Sequence, residues 1–135
     1  MKPKIVKLTL VIFFMVFSSH LFASGEAMLD TKTVFEILTW KSKKGVTDEE
    51  MIKAVDSMVV DLKRLSGFLN QTLYKDSDGT WIDIYYWDTE KDAHDSNEGM
   101  ADKDSFKRLM SIIEPDTVTM KVVSPQQSSG AMQFK

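Results

Sequence analysis

The chain has no cysteine in 135 residues. That excludes a thiol nucleophile, a lipid-modified cysteine, any thiolate metal site and every disulfide. Packing or oligomerisation must hold the core instead. Histidine is nearly as scarce. His20 lies near the start, so His94 is the sole histidine of the remaining chain. One histidine among scattered carboxylates has no metal-site spacing. Asp92, Asp95, Glu98, Asp102 and Asp104 do not match a calcium loop and read as a solvated face. There is no glycine-rich phosphate loop and no Gly-x-Ser-x-Gly elbow, so nucleotide-binding and serine-hydrolase readings have no support.

Long hydrophobic runs are also missing. The longest, Leu8 to Phe17, is apolar apart from Thr9 and too short to span a bilayer comfortably. It follows Lys2, Lys4 and Lys7 and precedes small residues, the layout of a secretory signal peptide. We expect residues 1–23 to be removed, with cleavage sites as late as residue 27. The protein is then exported, to the periplasm or outside the cell, and free of the membrane. The leader takes three lysines with it, leaving fourteen basic against twenty acidic side chains, a charge of −6. An acidic surface of that kind argues against nucleic acid and against anionic lipid as partners.

Residues 33–123 read as one domain, and 124–135 as a disordered tail rich in serine, glutamine and glycine. Val34 to Lys41 is a strand with apolar residues on both faces. Thr47 and Glu50 form a capping box before a helix with Ile52, Val55, Val59 and Leu62 at helical spacing. Gly67 is its expected stop. Phe68–Lys75 and Thr80–Trp87 make a hairpin around Asp76 to Gly79. Asp88 and Thr89 cap a polar second helix that Gly99 should break or kink. Its apolar stripe then resumes at Phe106, Leu109, Met110 and Ile113, and Pro115 ends it. Thr117 to Val123 alternates as a last strand. The order β-α-β-β-α-β predicts an α+β, ferredoxin-like domain with two helices on one face of a four-stranded antiparallel sheet.

The strand 81–87, WIDIYYW, raises the main question of facing. Its cleaner apolar side, Ile82, Ile84 and Tyr86, is expected to join Phe35, Ile37, Leu69, Leu73, Val118, Met120 and Val122 beneath the helices. That leaves Glu36, Leu38, Trp40, Asn70, Thr72, Tyr74, Trp81, Asp83, Tyr85 and Trp87 on the other side. An aromatic surface of that size calls for a second copy of the sheet, hence a homodimer.

The run GFLNQTLYKDSDGTWIDIYYWDTEKDA, residues 67–93, resembles the antibiotic biosynthesis monooxygenase-like domains of the dimeric α/β-barrel superfamily. The resemblance rests on the order of elements, on Gly67-Phe68 and on the Trp87-Asp88-Thr89 junction, and spans about residues 33–123. It implies protomers that pair into a dimeric barrel. It also implies functions from cofactor-independent oxygenation of aromatic polyketides or quinols to haem degradation, and fold alone does not choose among them. The haem-degrading branch uses an Asn on the first strand and a Trp and a His on the later helix. Here the first strand has no Asn and the later helix no Trp, so that activity is not expected. No cofactor is implied.

The residues left to weigh are few. Asn70 could hydrogen-bond a substrate carbonyl or a neighbouring backbone group. Asp83 could act as a base if desolvated, or pair with Lys41 or Lys121. His94 could be a base or an axial ligand, or simply an exposed side chain between Asp92 and Asp95. Trp40, Trp81, Tyr85 and Trp87 could stack on a planar ligand or pack at an interface. The two function classes that survive are a binding protein for a small aromatic or apolar molecule and a cofactor-independent monooxygenase.

Overall fold

A computed structural model describes residues 33–130 of the chain. The leader, its cleavage sites and the last five residues of the tail lie outside that range. Residues 124–130 hold no helix or strand. The elements are β1 (Val34–Trp40), α1 (Asp48–Leu62), β2 (Phe68–Lys75), β3 (Trp81–Trp87), α2 (Glu90–Ala101), α3 (Asp104–Ile112), a single 3-10 turn (Pro115–Thr117) and β4 (Thr119–Val123). The sheet runs β2-β3-β1-β4 with every neighbour antiparallel. This is the ferredoxin-like α+β fold expected from the sequence. No helix of the described residues is long and apolar enough to cross a membrane.

Local chemistry explains most element ends. Thr47 Oγ1 accepts from the Glu50 N–H at 3.2 Å, and Glu50 Oε2 accepts from the Thr47 N–H at 2.8 Å. The capping box is therefore reciprocal and satisfies two backbone donors at the start of α1. Thr89 caps α2 with its side chain, accepting from the Asp92 N–H at 3.1 Å. α1 ends at Leu62, and Gly67 acts later than expected. It holds φ +70° just before β2, and its carbonyl accepts from the Asp88 N–H at 2.7 Å.

The second helix breaks at a different place from the one the sequence suggested. Gly99 lies inside α2, and the chain turns at Asp102 and Lys103 before α3. The glycine is there for closeness. A Cβ at position 99 would sit 3.0 Å from a Leu65 methyl. α3 is tied down at both ends. Ser105 Oγ donates to Asp61 Oδ2 of α1 at 2.6 Å. At the other end Ser42 and Ile113 form an antiparallel bridge, and the Glu114 N–H donates to the Lys41 carbonyl at 2.8 Å.

Facing is where the structure departs from expectation. Residues 81, 83, 85 and 87 are buried beneath the helices with Val34, Glu36 and Trp40, whereas Ile82, Ile84 and Tyr86 share the opposite face with Phe35 and Ile37. The two central strands are thus inverted relative to the sequence reading. The edge strands are not. Leu73 and Val122 pack against the core, and Asn70, Thr72 and Tyr74 lie on the open face. Leu69 stands at a bulge and is exposed. On α1 the buried set is Met51, Ala54, Val55, Met58 and Leu62, so Ile52, 47% exposed, faces outward instead of joining the core. Central strands with apolar residues on both sides give period-two patterning nothing to discriminate.

Gly67 offers a test of the β2 entry. Its left-handed backbone would strain any L-residue, and a Cβ there would come within 2.3 Å of the Asp92 carboxyl. Gly67→Ala should cost about 1–2 kcal/mol. Urea unfolding that gave an unchanged midpoint would show that this turn relaxes freely.

Candidate functional site

A cavity of about 60 Å3 lies between the sheet and the three helices. The sheet supplies Glu36, Leu38, Trp40 and Tyr85 to its wall. The helices supply mainly apolar groups, among them Met58, Leu62, Met100, Phe106 and Leu109. Asn97 and Met110, both exposed, also line it and mark its outer side. The polar groups come from pairing geometry. Glu36 on β1 stands directly opposite Tyr85 on β3, and Gln71 on β2 stands opposite the same Tyr85. Three neighbouring strands thus bring an acid, a phenol and an amide to one level of the sheet.

The bonding within this cluster is specific. Tyr85 donates its hydroxyl to Asp83 Oδ2, and Gln71 Nε2 donates to Asp83 Oδ1 at 2.5 Å. Both oxygens of a carboxylate with no exposed surface are therefore satisfied. Glu36, 3% exposed, accepts from the Trp87 indole N–H at 3.0 Å. Burial is the main influence on each acid. It lifts Asp83 to about 6, against the lowering effect of the Tyr85 and Gln71 bonds. It also raises Glu36, opposed by the Trp87 bond and by the field of His94. Burial, with Asp83 as its neighbour, holds the Tyr85 phenol well above its ordinary value. Tyr85 is therefore a fixed donor, not a base. Asp83 is the group that can gain or lose a proton near neutrality.

The candidates from the sequence separate cleanly. Trp40 and Tyr85 line the cavity, and Asp83 lies directly behind Tyr85. Trp87 supports the site through Glu36. Trp81 is buried on the same face but is absent from the cavity wall, and its indole donates to Ser42 Oγ at 2.9 Å. Asn70 is on the open face of the sheet and His94 is exposed, its ring 3.4 Å from Glu90 Oε1. Neither lines the cavity. Asp83 pairs with neither Lys41 nor Lys121. Lys41 instead reaches Asp78 at 3.5 Å. Glu36 is the residue that sequence reasoning passed over. Its signal was a lone acid between Phe35 and Ile37 on a central strand. Among the described residues no group of three or more histidine, aspartate or glutamate side chains converges on a metal-sized site.

No family profile matches the sequence, and no curated protein matches it. Solved structures do. SnoaB, a cofactor-independent oxygenase from Streptomyces nogalater, superposes with a TM-score of 0.58 over 73% of this chain and 97% of its own, at 13% identity. A Nitrosomonas europaea protein provisionally described as an antibiotic biosynthesis monooxygenase gives 0.57 over 74% and 96%, at 14% identity. NE2512, a protein of unknown function from the same organism, gives 0.58 over 77% and 99%, at 11% identity. At these identities the likeness is one of fold. The chain has the antibiotic biosynthesis monooxygenase-like fold over nearly the full length of each of these proteins.

The buried acid makes a prediction about stability. An acid whose folded pKa exceeds its unfolded value binds its proton more tightly when folded, so its ionisation opposes folding. For Asp83 that cost is absent below about pH 4 and grows as pH rises through 6, reaching roughly 3 kcal/mol at most by pH 7. Asp83→Asn should remove this slope. Unfolding free energies at pH 4 and pH 7 should diverge less in the variant than in the wild type by about 1–3 kcal/mol. Parallel profiles would mean that Asp83 is solvated in the folded protein.

Proposed function

We propose that this is an exported protein that binds a small aromatic or apolar molecule in the cavity between the sheet and the helices. The observation that carries this reading is the cavity itself. It has a largely apolar wall with a few polar groups, Glu36 and Tyr85 from the sheet and Ser96 and Asn97 from α2, which is the usual make-up of a small-molecule site. At about 60 Å3 it is smaller than the ~150 Å3 cavity that holds benzene. A ring-bearing ligand must therefore extend past Asn97 and Met110 or displace a helix. Oxygenation of an aromatic or quinol substrate without a cofactor is the second reading. It is favoured by a proton acceptor, Asp83, tuned near neutrality behind a cavity-lining tyrosine, and by the likeness of fold to SnoaB.

Native mass spectrometry of the exported protein and oxygen electrodes decide between the two. Binding alone predicts a retained small molecule and no oxygen uptake over a panel of quinols and polyphenols. Glu36→Gln and Trp40→Phe should then weaken retention, while Asn70→Ala and His94→Ala, away from the cavity, leave it unchanged. Uptake tenfold above the protein-free rate that disappears in Tyr85→Phe would replace the binding reading with the enzyme.

The homodimer belongs to the same proposal, on a different face from the one the sequence suggested. Phe35, Ile37, Ile82, Ile84 and Tyr86 form an apolar surface on the sheet, and none of them belongs to the buried core. Phe35 and Tyr86 meet there edge to face, with ring centroids 4.8 Å apart. A second copy of this sheet is the occupant that suits it. Light scattering should give twice the protomer mass at micromolar concentration, and Ile84→Glu should halve it. A monomeric wild type would exclude the pairing.

A further inference from the structure

The following rests on the binding reading above and names the polar end of the ligand. Glu36 is the acid on the cavity wall. One of its oxygens accepts from Trp87, and no other described side chain donates to this carboxylate. No sealed side-chain oxygen among the described residues lacks a partner, so the second oxygen of Glu36 must border open space. That space is the cavity. Behind it lies a second acid, Asp83, both of whose oxygens are taken.

The charges around Glu36 do not balance. From β3 it faces Asp83 and Tyr85. From α1 and α3 the cavity wall is Met58, Leu62, Phe106 and Leu109, and from α2 it is Ser96, Asn97 and Met100. His94 acts on Glu36 only through its field, from an exposed position where it pairs with Glu90. Among the described residues no lysine or arginine borders the cavity. A ligand hydroxyl would satisfy the second oxygen and leave the buried charge uncompensated. A protonated amine would do both, because a buried carboxylate is stabilised chiefly by an opposite charge with good hydrogen bonds.

We infer that the cavity takes a primary amine on an apolar body, its ammonium donating to the second oxygen of Glu36 and its body packed among Trp40, Met58 and Phe106. Selection among apolar molecules would then rest on charge as well as on shape.

The test compares three probes with one apolar body, benzylamine, benzyl alcohol and benzoate, by calorimetric titration of the purified protein. Benzylamine should bind at least tenfold more tightly than benzyl alcohol, and benzoate more weakly than either. Glu36→Gln keeps the shape and an acceptor for Trp87. It should cost benzylamine tenfold or more and benzyl alcohol far less. The wild type gives a second measurement that needs no variant. Benzylamine affinity should fall from pH 7 to pH 4 as Glu36 and its neighbour Asp83 take up protons, while benzyl alcohol affinity changes far less. If the alcohol binds as well as the amine, or the amine is insensitive to both changes, the charge inference fails and the binding reading stands. If none of the three binds at millimolar concentration, both fail.

Discussion

Two carboxylates buried on one face of the sheet set the terms for everything else in this fold. Glu36 and Asp83 sit on the two central strands, on the side covered by helices, where water is excluded. An acid can be held there only if donors are built in beside it. The donors are an indole, a phenol and a side-chain amide, from Trp87, Tyr85 and Gln71. Two of the three are large aromatics, which bury apolar area and supply a polar tip at once. This is why the bulky residues of β3 face inward. They are core residues and hydrogen-bond donors together. Turning β3 over would leave Glu36 buried without its Trp87 donor and take Asp83 away from Gln71, so the polar cluster fixes the sense of the sheet.

The same cluster explains what the sequence disclosed and what it hid. The order of elements, the capping box at Thr47 and Glu50, the hairpin and the likeness to monooxygenase-like domains could all be read directly. These are local signals, carried by turn residues, caps and periodicity. The edge strands β2 and β4 were also legible in facing, because Leu73 lies between Thr72 and Tyr74 and Val122 follows Lys121. β1 and β3 were not. Each is apolar on both sides, and the cleaner aliphatic set, Ile82 and Ile84, looks more like core than a set interrupted by Asp83. That preference holds for an inert core. It fails where the interior holds polar groups bonded to one another, as Asp83 is to Tyr85 and Gln71. The candidate residues divided along the same line. Trp40 and Tyr85 reach the cavity because they share the inner face, whereas Asn70 is one step out of phase. Glu36 escaped notice because a single acid on a strand usually marks exposure.

With no disulfide to constrain the unfolded chain, the domain relies on packing that is dense but unevenly shared. α1 contributes five buried residues and the inner face of the sheet three tryptophans, all with their indole N–H groups bonded. The open face carries a second apolar surface that the helices do not use. One chain thus presents two apolar surfaces of different character. The inner one is mixed with acids, and the outer one on β1 and β3 is aliphatic and aromatic apart from Thr39 and the Tyr86 hydroxyl.

α2 is the exception to this dense packing. It buries Ala93, Ser96 and Met100, and Gly99 touches Leu65 where a larger residue would not fit. Ala93 and Ser96 bring it close, and Met100 is its one large buried apolar side chain. Its neighbour α3, by contrast, is fastened at one end to α1 and at the other to the strand-end bridge at Ser42. Local stability follows buried apolar area and fixed contacts, so it differs sharply between two adjacent walls of the same cavity. The wall with the least holding it carries Asn97, at the outer side. On the binding reading, entry would depend less on the size of the empty space than on the free energy of lifting that polar helix off the sheet.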